Sequence, residues 1–392
     1  MGGHEMNEWR KVKFLDYIEL NPKVPLKKGV LYPFIEMANV DCYTRQPKKI
    51  GLESFSSGVK FQEDDTVIAR IEPCLQNGKG FLFRGAPYGF GSTEFLVFRA
   101  IPEKTSPLFV YYLMQTYRIK NIMINSMSGA TGRQRVNNDI FNNLEIELPP
   151  LATQRRIAEV LSRYDSLIEN YQRQIKLLEE AAQRLYKEWF VDLRFPGHES
   201  TPIINNLPTG WQKKKLIDFT NIIMGQSPKS EFYNKEQQGL PFHQGVGSYG
   251  SRFVIDDIYS SSLNRVAEPN SILFSVRAPV GRLNITKNRI VIGRGIAAIN
   301  HKQGYQSYLF YLLKERFFKD NIIGNGAIFA SISKDDLYNL SFLIPSNHLI
   351  QRFDELSSNY DKVIMCLDNK IRHLSEARDR LLPKLMIGEI EV

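Results

Sequence analysis

The chain has 392 residues, of which 43% are hydrophobic and 24% are charged, and its formal net charge is +9. At roughly 150 residues per domain this length indicates about two or three domains, and the apolar fraction excludes a disordered chain. The positive charge favours encounters with polyanions such as nucleic acid but carries no information about the fold.

Neither a membrane segment nor a metal site is indicated by the sequence. No apolar run approaches the roughly 18 residues that cross a bilayer, and residues 1–6 lack the apolar core of a secretion signal, so a cytoplasmic protein without membrane contact is expected. Cys42, Cys74 and Cys366 lie far apart, and the histidines show no ligand spacing. We therefore predict no metal, no disulfide framework and no cofactor.

The first half of the chain begins with a globular segment that mixes short β-rich runs with turns. Runs at 66–69 and 95–98 are separated by Gly and Pro residues, and a helix is predicted at 108–123. This mixture predicts an α+β domain with a twisted antiparallel sheet. A proline turn at 148–150 then precedes a long helical segment.

The second half follows the same plan after a turn-rich linker at 195–200. Its β-rich runs lie at 272–274 and 289–292, a helix is predicted at 305–320, and a proline turn precedes the last helical segment. The predicted domain bounds are 1–148 and 196–344 for the globular segments and 149–195 and 345–392 for the helical ones.

The two halves are copies of one another. Residues 144–187 align with residues 340–383 at a shift of 196 positions, which is half the chain. Identical pairs in this single register include Pro149 and Pro345, Arg156 and Arg352, Glu159 and Glu355, Tyr164-Asp165 and Tyr360-Asp361, Ile168 and Ile364, Leu178 and Leu374, and Arg184-Leu185 and Arg380-Leu381.

Each helical segment carries an apolar stripe at alternating three- and four-residue spacings, as in a coiled coil. The stripe residues are Ile157, Val160, Tyr164, Leu167, Tyr171, Leu178 and Leu185 in the first helix and Phe353, Leu356, Tyr360, Val363, Leu367, Leu374 and Leu381 in the second. Helices of about 40 residues are about 60 Å long, more than a small domain requires. We therefore predict that they pair with each other; two surface helices, each packed on its own domain, are the alternative.

The motifs of self-contained DNA-modifying enzymes are missing. The nearest string to the Asn/Asp-Pro-Pro-aromatic turn of an adenine methyltransferase is at 148–151 and lacks both the amide and the aromatic residue, and no Pro-Asp pair exists for a nuclease. Gly78-Lys79-Gly80 lacks the Ser or Thr of a phosphate-binding loop. The GxGxxG string at 245–250 follows no apolar strand and precedes no helix, so it is interpreted as a glycine-rich loop.

Basic and polar loops are the candidates for DNA contact, because arginine and amide groups read base edges and basic or hydroxyl groups hold phosphates. The candidates are Arg70, Lys79, Arg84, Arg133, Gln134 and Arg135 in the first half and Gln226, Ser227, Lys229, Arg277, Arg282, Arg289, Arg294 and Lys334 in the second. A solvated surface charge is the alternative for each of them.

Several strings, in this order, resemble the specificity subunits of type I restriction-modification systems. They lie at 148–158, 187–192, 207–211, 225–228, 274–281 and 381–390 and span nearly the whole chain. The resemblance implies a non-catalytic subunit with two target-recognition domains, each reading one half of a bipartite, asymmetric site in double-stranded DNA. It also implies that the helices form an antiparallel intrachain coiled coil that sets the spacing and docks two adenine-methylating modification subunits, which restriction/translocase subunits join.

Two other functions remain open from the residues alone. A fused DNA methyltransferase or nuclease is opposed by the missing motifs. A coiled-coil scaffold without a DNA role is supported only by the heptads.

Overall fold

The computed structural model describes residues 9–42, 44–205, 207–317 and 331–392. The chain divides into two compact units. Unit 1 comprises Met1–Gln172 and Asp368–Val392, and unit 2 comprises Arg173–Leu367. The helix predicted at 305–320 is observed from Gln306 to Phe317, and the predicted positions beyond 317 lie outside the described residues.

The globular part of unit 1 contains two four-stranded sheets and two short helices, and the first long helix follows it. Its elements are β1 (Arg10–Lys13), β2 (Ile18–Leu20), β3 (Leu31–Ile35), β4 (Gly51–Ser54), β5 (Val59–Gln62), β6 (Thr66–Ala69), β7 (Gly80–Leu82), β8 (Tyr88–Gly91), β9 (Phe95–Ala100), α1 (Pro107–Gln115), α2 (Tyr117–Asn125), β10 (Glu145–Leu148) and α3 (Leu151–Phe190). The sheet orders are β2-β9-β6-β7 and β4-β3-β8-β5, and β1 pairs with β10.

Strand β6 shows why these residues form layers. Its four residues are all buried, and alternate side chains of a strand point to opposite faces. Val67 enters a cluster with Phe61, Phe81 and Phe95, whereas Ile68 enters a different cluster that contains side chains of α1. The sheet therefore lies between two cores, one shared with the second sheet and one shared with helices.

Unit 2 repeats this architecture with a five-stranded second sheet. Its elements are β11 (Ile203–Ile204), β12 (Leu207–Pro208), β13 (Gln212–Lys215), α4 (Leu216–Phe219), β14 (Thr220–Met224), β15 (Tyr233–Asn234), β16 (Leu240–His243), β17 (Tyr259–Ser260), β18 (Val266–Ala267), β19 (Ile272–Ser275), β20 (Leu283–Ile285), β21 (Ile290–Ile292), β22 (Ile296–His301), α5 (Gln306–Phe317), α6 (Lys334–Tyr338), β23 (Ser341–Ile344) and α7 (Asn347–Met386). The sheet orders are β14-β22-β19-β20 and β15-β17-β16-β21-β18.

The duplication seen in the helical sequences therefore extends through the globular folds. In both units the first sheet has the same strand order, and one parallel pair lies inside the second sheet, β3 with β8 and β16 with β21. The sequence predicted antiparallel sheets, which describes the other strand pairs of these sheets but not the parallel ones. The two strands of a parallel pair lie far apart in sequence, so no local sequence pattern predicts their pairing.

Each long helix contributes residues to both units, and within each unit the two helices run antiparallel. In unit 1 Asp165 of α3 is ion-paired with Arg378 of α7, and the Lys370 ammonium lies 5.6 Å from the centre of the Tyr171 ring. In unit 2 the Trp189 ring of α3 lies 6.0 Å from Phe353 of α7. Later residues of α3 meet earlier residues of α7, which confirms the predicted antiparallel pairing.

The seam between the helices differs from the predicted apolar stripe. Ile157, Phe353 and Leu367 are buried, but Leu167, Leu356 and Val363 are 43%, 45% and 46% exposed, so placing these three in the seam is wrong. The remaining stripe residues are partly buried, namely Val160, Tyr164, Tyr171, Leu178, Leu185, Tyr360, Leu374 and Leu381.

The fully buried line of α3 lies one position later than the stripe. It contains Leu161, Asp165, Ile168, Ala182 and Tyr186. Three of these side chains are large and apolar, but Asp165 is a carboxylate and Ala182 is small, so the line is interrupted when it is followed as an apolar repeat.

Among the described residues, no helix has the length and apolar character that crossing a membrane requires, and no cluster of metal-ligating side chains is present.

Candidate nucleic-acid interface

Four loops of unit 2 converge at one end of its sheets. We call residues 225–229, 244–251, 276–282 and 293–295 the second loop cluster, after the unit to which they belong. The Gly293 amide donates to the His243 carbonyl at 2.8 Å, the Gly295 amide donates to the Gln244 carbonyl at 3.1 Å, and the Val276 amide donates to the Gly295 carbonyl at 2.9 Å. Backbone hydrogen bonds thus fix the loops to one another.

Glycines make this approach possible. A Cβ atom on Gly295 would lie 2.4 Å from the Gln244 carbonyl oxygen, and one on Gly225 would lie 2.2 Å from the Gly293 carbonyl oxygen. No side chain fits at such distances, so these positions require glycine for close backbone packing.

Two arginines of the second loop cluster lie at the edges of a small cavity. The cavity, of about 120 Å³, is lined by Gln244, Ser275, Arg277 and Arg294, among others. Both arginines are exposed, and neither forms an ion pair within the described ranges. The Arg294 backbone amide donates to Ser227 Oγ at 3.2 Å. The structure therefore presents two guanidinium groups on a fixed backbone.

The other sequence-predicted residues of unit 2 are more engaged, apart from the exposed Gln226. Arg289 is paired with Glu268 at 3.2 Å and Lys229 with Glu231 at 3.8 Å. The Lys334 ammonium lies 5.1 Å from the centre of the Tyr338 ring, and Arg282 lines a neighbouring cavity of about 340 Å³.

A buried histidine holds the glycine-rich loop. His243 is 1% exposed; its Nδ1 lies 2.8 Å from Ser248 Oγ and its Nε2 lies 2.9 Å from Asp256 Oδ1. The imidazole thus bridges two residues that follow β16, while the Ser248 hydroxyl donates to the Gly245 carbonyl at 3.3 Å. This trio was not predicted from the sequence, because its three residues follow no known spacing.

Unit 1 presents a broader cavity of about 500 Å³. It is lined by Lys23, Lys60, Arg70 and Thr93, among others. The Lys60 ammonium lies 5.0 Å from the centre of the Phe55 ring, and Arg70 Nη2 donates to the Val136 carbonyl at 3.4 Å. Of these four residues, only Arg70 was predicted from the sequence.

The predicted loop 129–135 of unit 1 is partly committed to internal contacts. Arg135 donates to both carboxylate oxygens of Glu94, at 2.9 and 2.7 Å, and this hydrogen bonding lowers the pKa of Glu94. The Gln134 carbonyl accepts from the Glu72 amide at 2.9 Å. Arg133 is exposed and has no ion pair in the described part of the chain, so it is the residue of this loop best placed for an external partner.

The two remaining candidates of unit 1 also have internal partners. Arg84 is paired with Asp64 at 2.9 Å, and Lys79 Nζ donates to the Met37 carbonyl at 3.0 Å.

A buried arginine in unit 2 connects the globular segment to both long helices. Arg252 is 2% exposed, and its Nη1 lies 3.0 Å from Glu179 of α3. Its Nη2 is ion-paired with Asp361 of α7, and its guanidinium lies 4.3 Å from the centre of the Phe310 ring.

Unit 1 contains a comparable network around Asp165, the residue that aligns with Asp361. Asp165 accepts from Arg378 at 2.6 Å and from the Tyr112 hydroxyl at 2.5 Å. Burial and the Asp165 charge raise the pKa of Tyr112, which keeps its hydroxyl a donor. Arg45 pairs with Glu169 at 2.7 Å. The repeated Tyr-Asp pair was the sequence signal for these networks.

The long helices also expose apolar side chains. In unit 2 Leu177, Leu356 and Val363 are 57%, 45% and 46% exposed. Leu356 and Val363 are seven residues apart and therefore lie on the same side of α7.

Comparisons with known proteins agree on one family. The family model described as the type I restriction modification DNA specificity domain matches residues 6–180 and 208–354. A Methanocaldococcus jannaschii protein named as the MjaX specificity subunit of a type I restriction enzyme is 31% identical over 335 residues, covering 84% of this chain and 79% of its own length. The MjaIX specificity subunit of the same organism is 27% identical over 300 residues, covering 72% and 69%.

A solved structure shows the same fold over the full length. The crystal structure of a type I restriction-modification system S subunit from M. genitalium covers 98% of each chain, with a TM-score of 0.59 and 16% identity.

Proposed function

The chain belongs to the type I restriction-modification DNA specificity family, and from this membership we propose that its two recognition domains read the two halves of a bipartite, asymmetric DNA site. It is a specificity subunit, a non-catalytic DNA-recognition component. The proposed domains keep the bounds 1–148 and 196–344, and the proposed helical segments keep 149–195 and 345–392.

The observation that carries the proposal is a shared framework with different loops. Both units have the same strand order in the first sheet and the same parallel pair in the second. Different side chains nevertheless line their cavities, Lys23, Lys60 and Arg70 in unit 1 and Gln244, Arg277 and Arg294 in unit 2. Two similar folds with dissimilar reading surfaces are what recognition of two unlike half-sites requires.

The paired helices are proposed to dock two adenine-methylating modification subunits, to which restriction/translocase subunits add. The exposed Leu177, Leu356 and Val363 support this proposal, because exposed apolar side chains are stabilised when a protein partner covers them.

Co-expression of this chain with the modification subunit of its own system tests the proposal. Sequencing that detects methylated adenine should show a two-part motif with a non-specific spacer of constant length. Removal of residues 196–344 should abolish recognition of one half only. Methylation without any motif, or a motif with a single part, would contradict bipartite reading.

A second experiment tests the role of the helices in spacing. Inserting seven residues into each long helix adds about 10 Å at 1.5 Å per residue, or about three base pairs at 3.4 Å. The heptad keeps the seam in phase, so the spacer should lengthen by about this amount while both half-motifs stay the same. An unchanged spacer would refute the role of the helices in setting the distance.

A further inference from the structure

The strand registers align individual loop positions of the two units. In unit 1 Ile35 pairs with Gly91, and in unit 2 His243 pairs with Ile292, each in the parallel pair. The residue that follows the first strand is therefore Glu36 in unit 1 and Gln244 in unit 2. The second position after β8 and β21 is Thr93 in unit 1 and Arg294 in unit 2.

A third position follows from the antiparallel sheets. Ala69 pairs with Phe95 in unit 1, and Ser275 pairs with Ile296 in unit 2. The second residue after each strand is Ile71 or Arg277. Isolated bridges support this alignment, because Ile71 is bridged to Arg135 and Arg277 is bridged to Ser331. The two bridge partners, Arg135 and Ser331, differ by the repeat shift of 196.

The three aligned positions thus carry Glu36, Ile71 and Thr93 in unit 1 but Gln244, Arg277 and Arg294 in unit 2. In unit 2 these three side chains line one cavity. The backbone framework is common to both units, whereas the hydrogen-bonding chemistry at these positions is not. Positions with this property can change the recognised sequence without changing the fold.

The unit 2 side chains match the groups on base edges. An arginine fork donates to O6 and N7 of guanine, and a glutamine amide donates to N7 and accepts from N6 of adenine in the major groove. Arg277 and Arg294 are exposed and form no ion pair among the described residues, so no internal bond has to break before they reach a base. Their loops are fixed by backbone hydrogen bonds, which limits the ordering cost of binding.

We propose that Gln244, Arg277 and Arg294 form the base-reading surface of unit 2 and that each arginine reads the guanine of one G·C pair in its half-site. This inference rests on the proposed function of bipartite DNA reading. It predicts at least two G·C pairs in the half-site that unit 2 recognises, and it assigns each to one side chain.

Lysine substitutions separate base reading from phosphate contact. Arg277→Lys and Arg294→Lys keep the positive charge but lose the bidentate fork, and Arg277→Ala and Arg294→Ala lose both. Each variant is co-expressed as the full chain with its modification subunit, and the methylated motif is determined by sequencing. Lys213→Ala, on strand β13 outside the second loop cluster, is the matched surface-charge control.

Each arginine variant should relax one G·C position and leave the other half-motif unchanged. Discrimination at that position should fall roughly ten- to a hundred-fold. The lysine variants should bind a duplex without the site as tightly as wild type, while the alanine variants should bind it more weakly. The unchanged half-motif serves as a folding control within the same molecule.

The alternative outcomes are distinct. An unchanged motif in all four arginine variants would mean that these residues are ordinary surface charges. A uniform loss of methylation in the alanine variants that the lysine variants do not show would assign the residues to phosphate contact. Either outcome would overturn this inference and leave the proposed function standing. A wild-type chain that directs no two-part motif would instead overturn the proposed function.

Discussion

Replacing Arg252 with methionine should destabilise unit 2 strongly. The side chain is 2% exposed and is ion-paired with both Glu179 and Asp361. Methionine preserves much of the volume but leaves the two carboxylates without their cation. Removing one partner of a buried pair usually costs about 3–5 kcal/mol. The carboxylates are 26% and 22% exposed, and water solvates them in part, so we expect about 2–4 kcal/mol.

Tryptophan fluorescence can report this loss selectively. The chain has three tryptophans, and Trp189 and Trp211 are buried in unit 2 while Trp9 belongs to unit 1. In a Trp9→Phe background, urea unfolding followed by fluorescence therefore measures unit 2. The free energy of unfolding is compared between the Trp9→Phe protein and the same protein with Arg252→Met added.

An exposed ion pair in the same unit is the control. Arg289 and Glu268 are 56% and 62% exposed, so Arg289→Ala should cost less than about 1 kcal/mol. If Arg252→Met costs no more than this control, the network does not stabilise the junction between the globular segment and the helices.

Three further predictions concern pH, loop packing and partner docking. Burial raises the pKa of Asp354 to about 6, so the contribution of its protonated form to stability is present below the unfolded pKa of about 3.9 and is lost as pH rises through about 6. Asp354→Asn should therefore raise the free energy of unfolding at pH 8 by about 1–2 kcal/mol, after allowance for the partial exposure of the carboxyl group. Equal free energies of unfolding for wild type and variant at pH 8 would contradict this prediction. Gly295→Ala places a methyl group 2.4 Å from the Gln244 carbonyl, so the variant should keep its far-ultraviolet circular dichroism but lose at least about ten-fold in affinity for the half-site of unit 2. Leu356→Asp and Val363→Asp should leave the melting temperature within a few degrees but weaken co-purification of the modification subunit, and undiminished co-purification would exclude this helix surface as the docking site.

The architecture could be predicted from the sequence because duplication and helix periodicity are long-range, redundant signals. The register at 196 residues located both long helices, observed at Leu151–Phe190 and Asn347–Met386. A repeat provides two independent copies of each helix signal, and a substitution that obscures one copy leaves the other intact. The parallel strand pairs had no such signal, because their partners are joined only in space.

The candidate reading surface was only partly predictable. Arg277 and Arg294 were named because arginine is common in base recognition, but Arg84 and Arg135 were named on the same ground and are held by Asp64 and Glu94. Residue type shows which chemistry a side chain can supply. Its availability depends on carboxylates from other turns, here Asp64 between β5 and β6 and Glu94 between β8 and β9, and these contacts become visible only in the fold.

The seam of the helix pair was mispredicted for a related reason, and the error identifies what fixes the register. A seam made only of apolar residues is stabilised almost equally by alignments that differ by one heptad, because each shift again places apolar side chains against apolar side chains.

In unit 1, Asp165 is 3% exposed and lies opposite Arg378. A shift of seven residues would place this carboxylate opposite Ile371 or Leu385 and leave a buried charge without its partner, at a cost of several kcal/mol. In unit 2 the same shift would separate Asp361 from Arg252. The polar residues that a hydrophobic stripe passes over are therefore the ones that select a single register. If the helices set the spacer as proposed, Asp165 and Asp361 make its length a fixed property of the sequence.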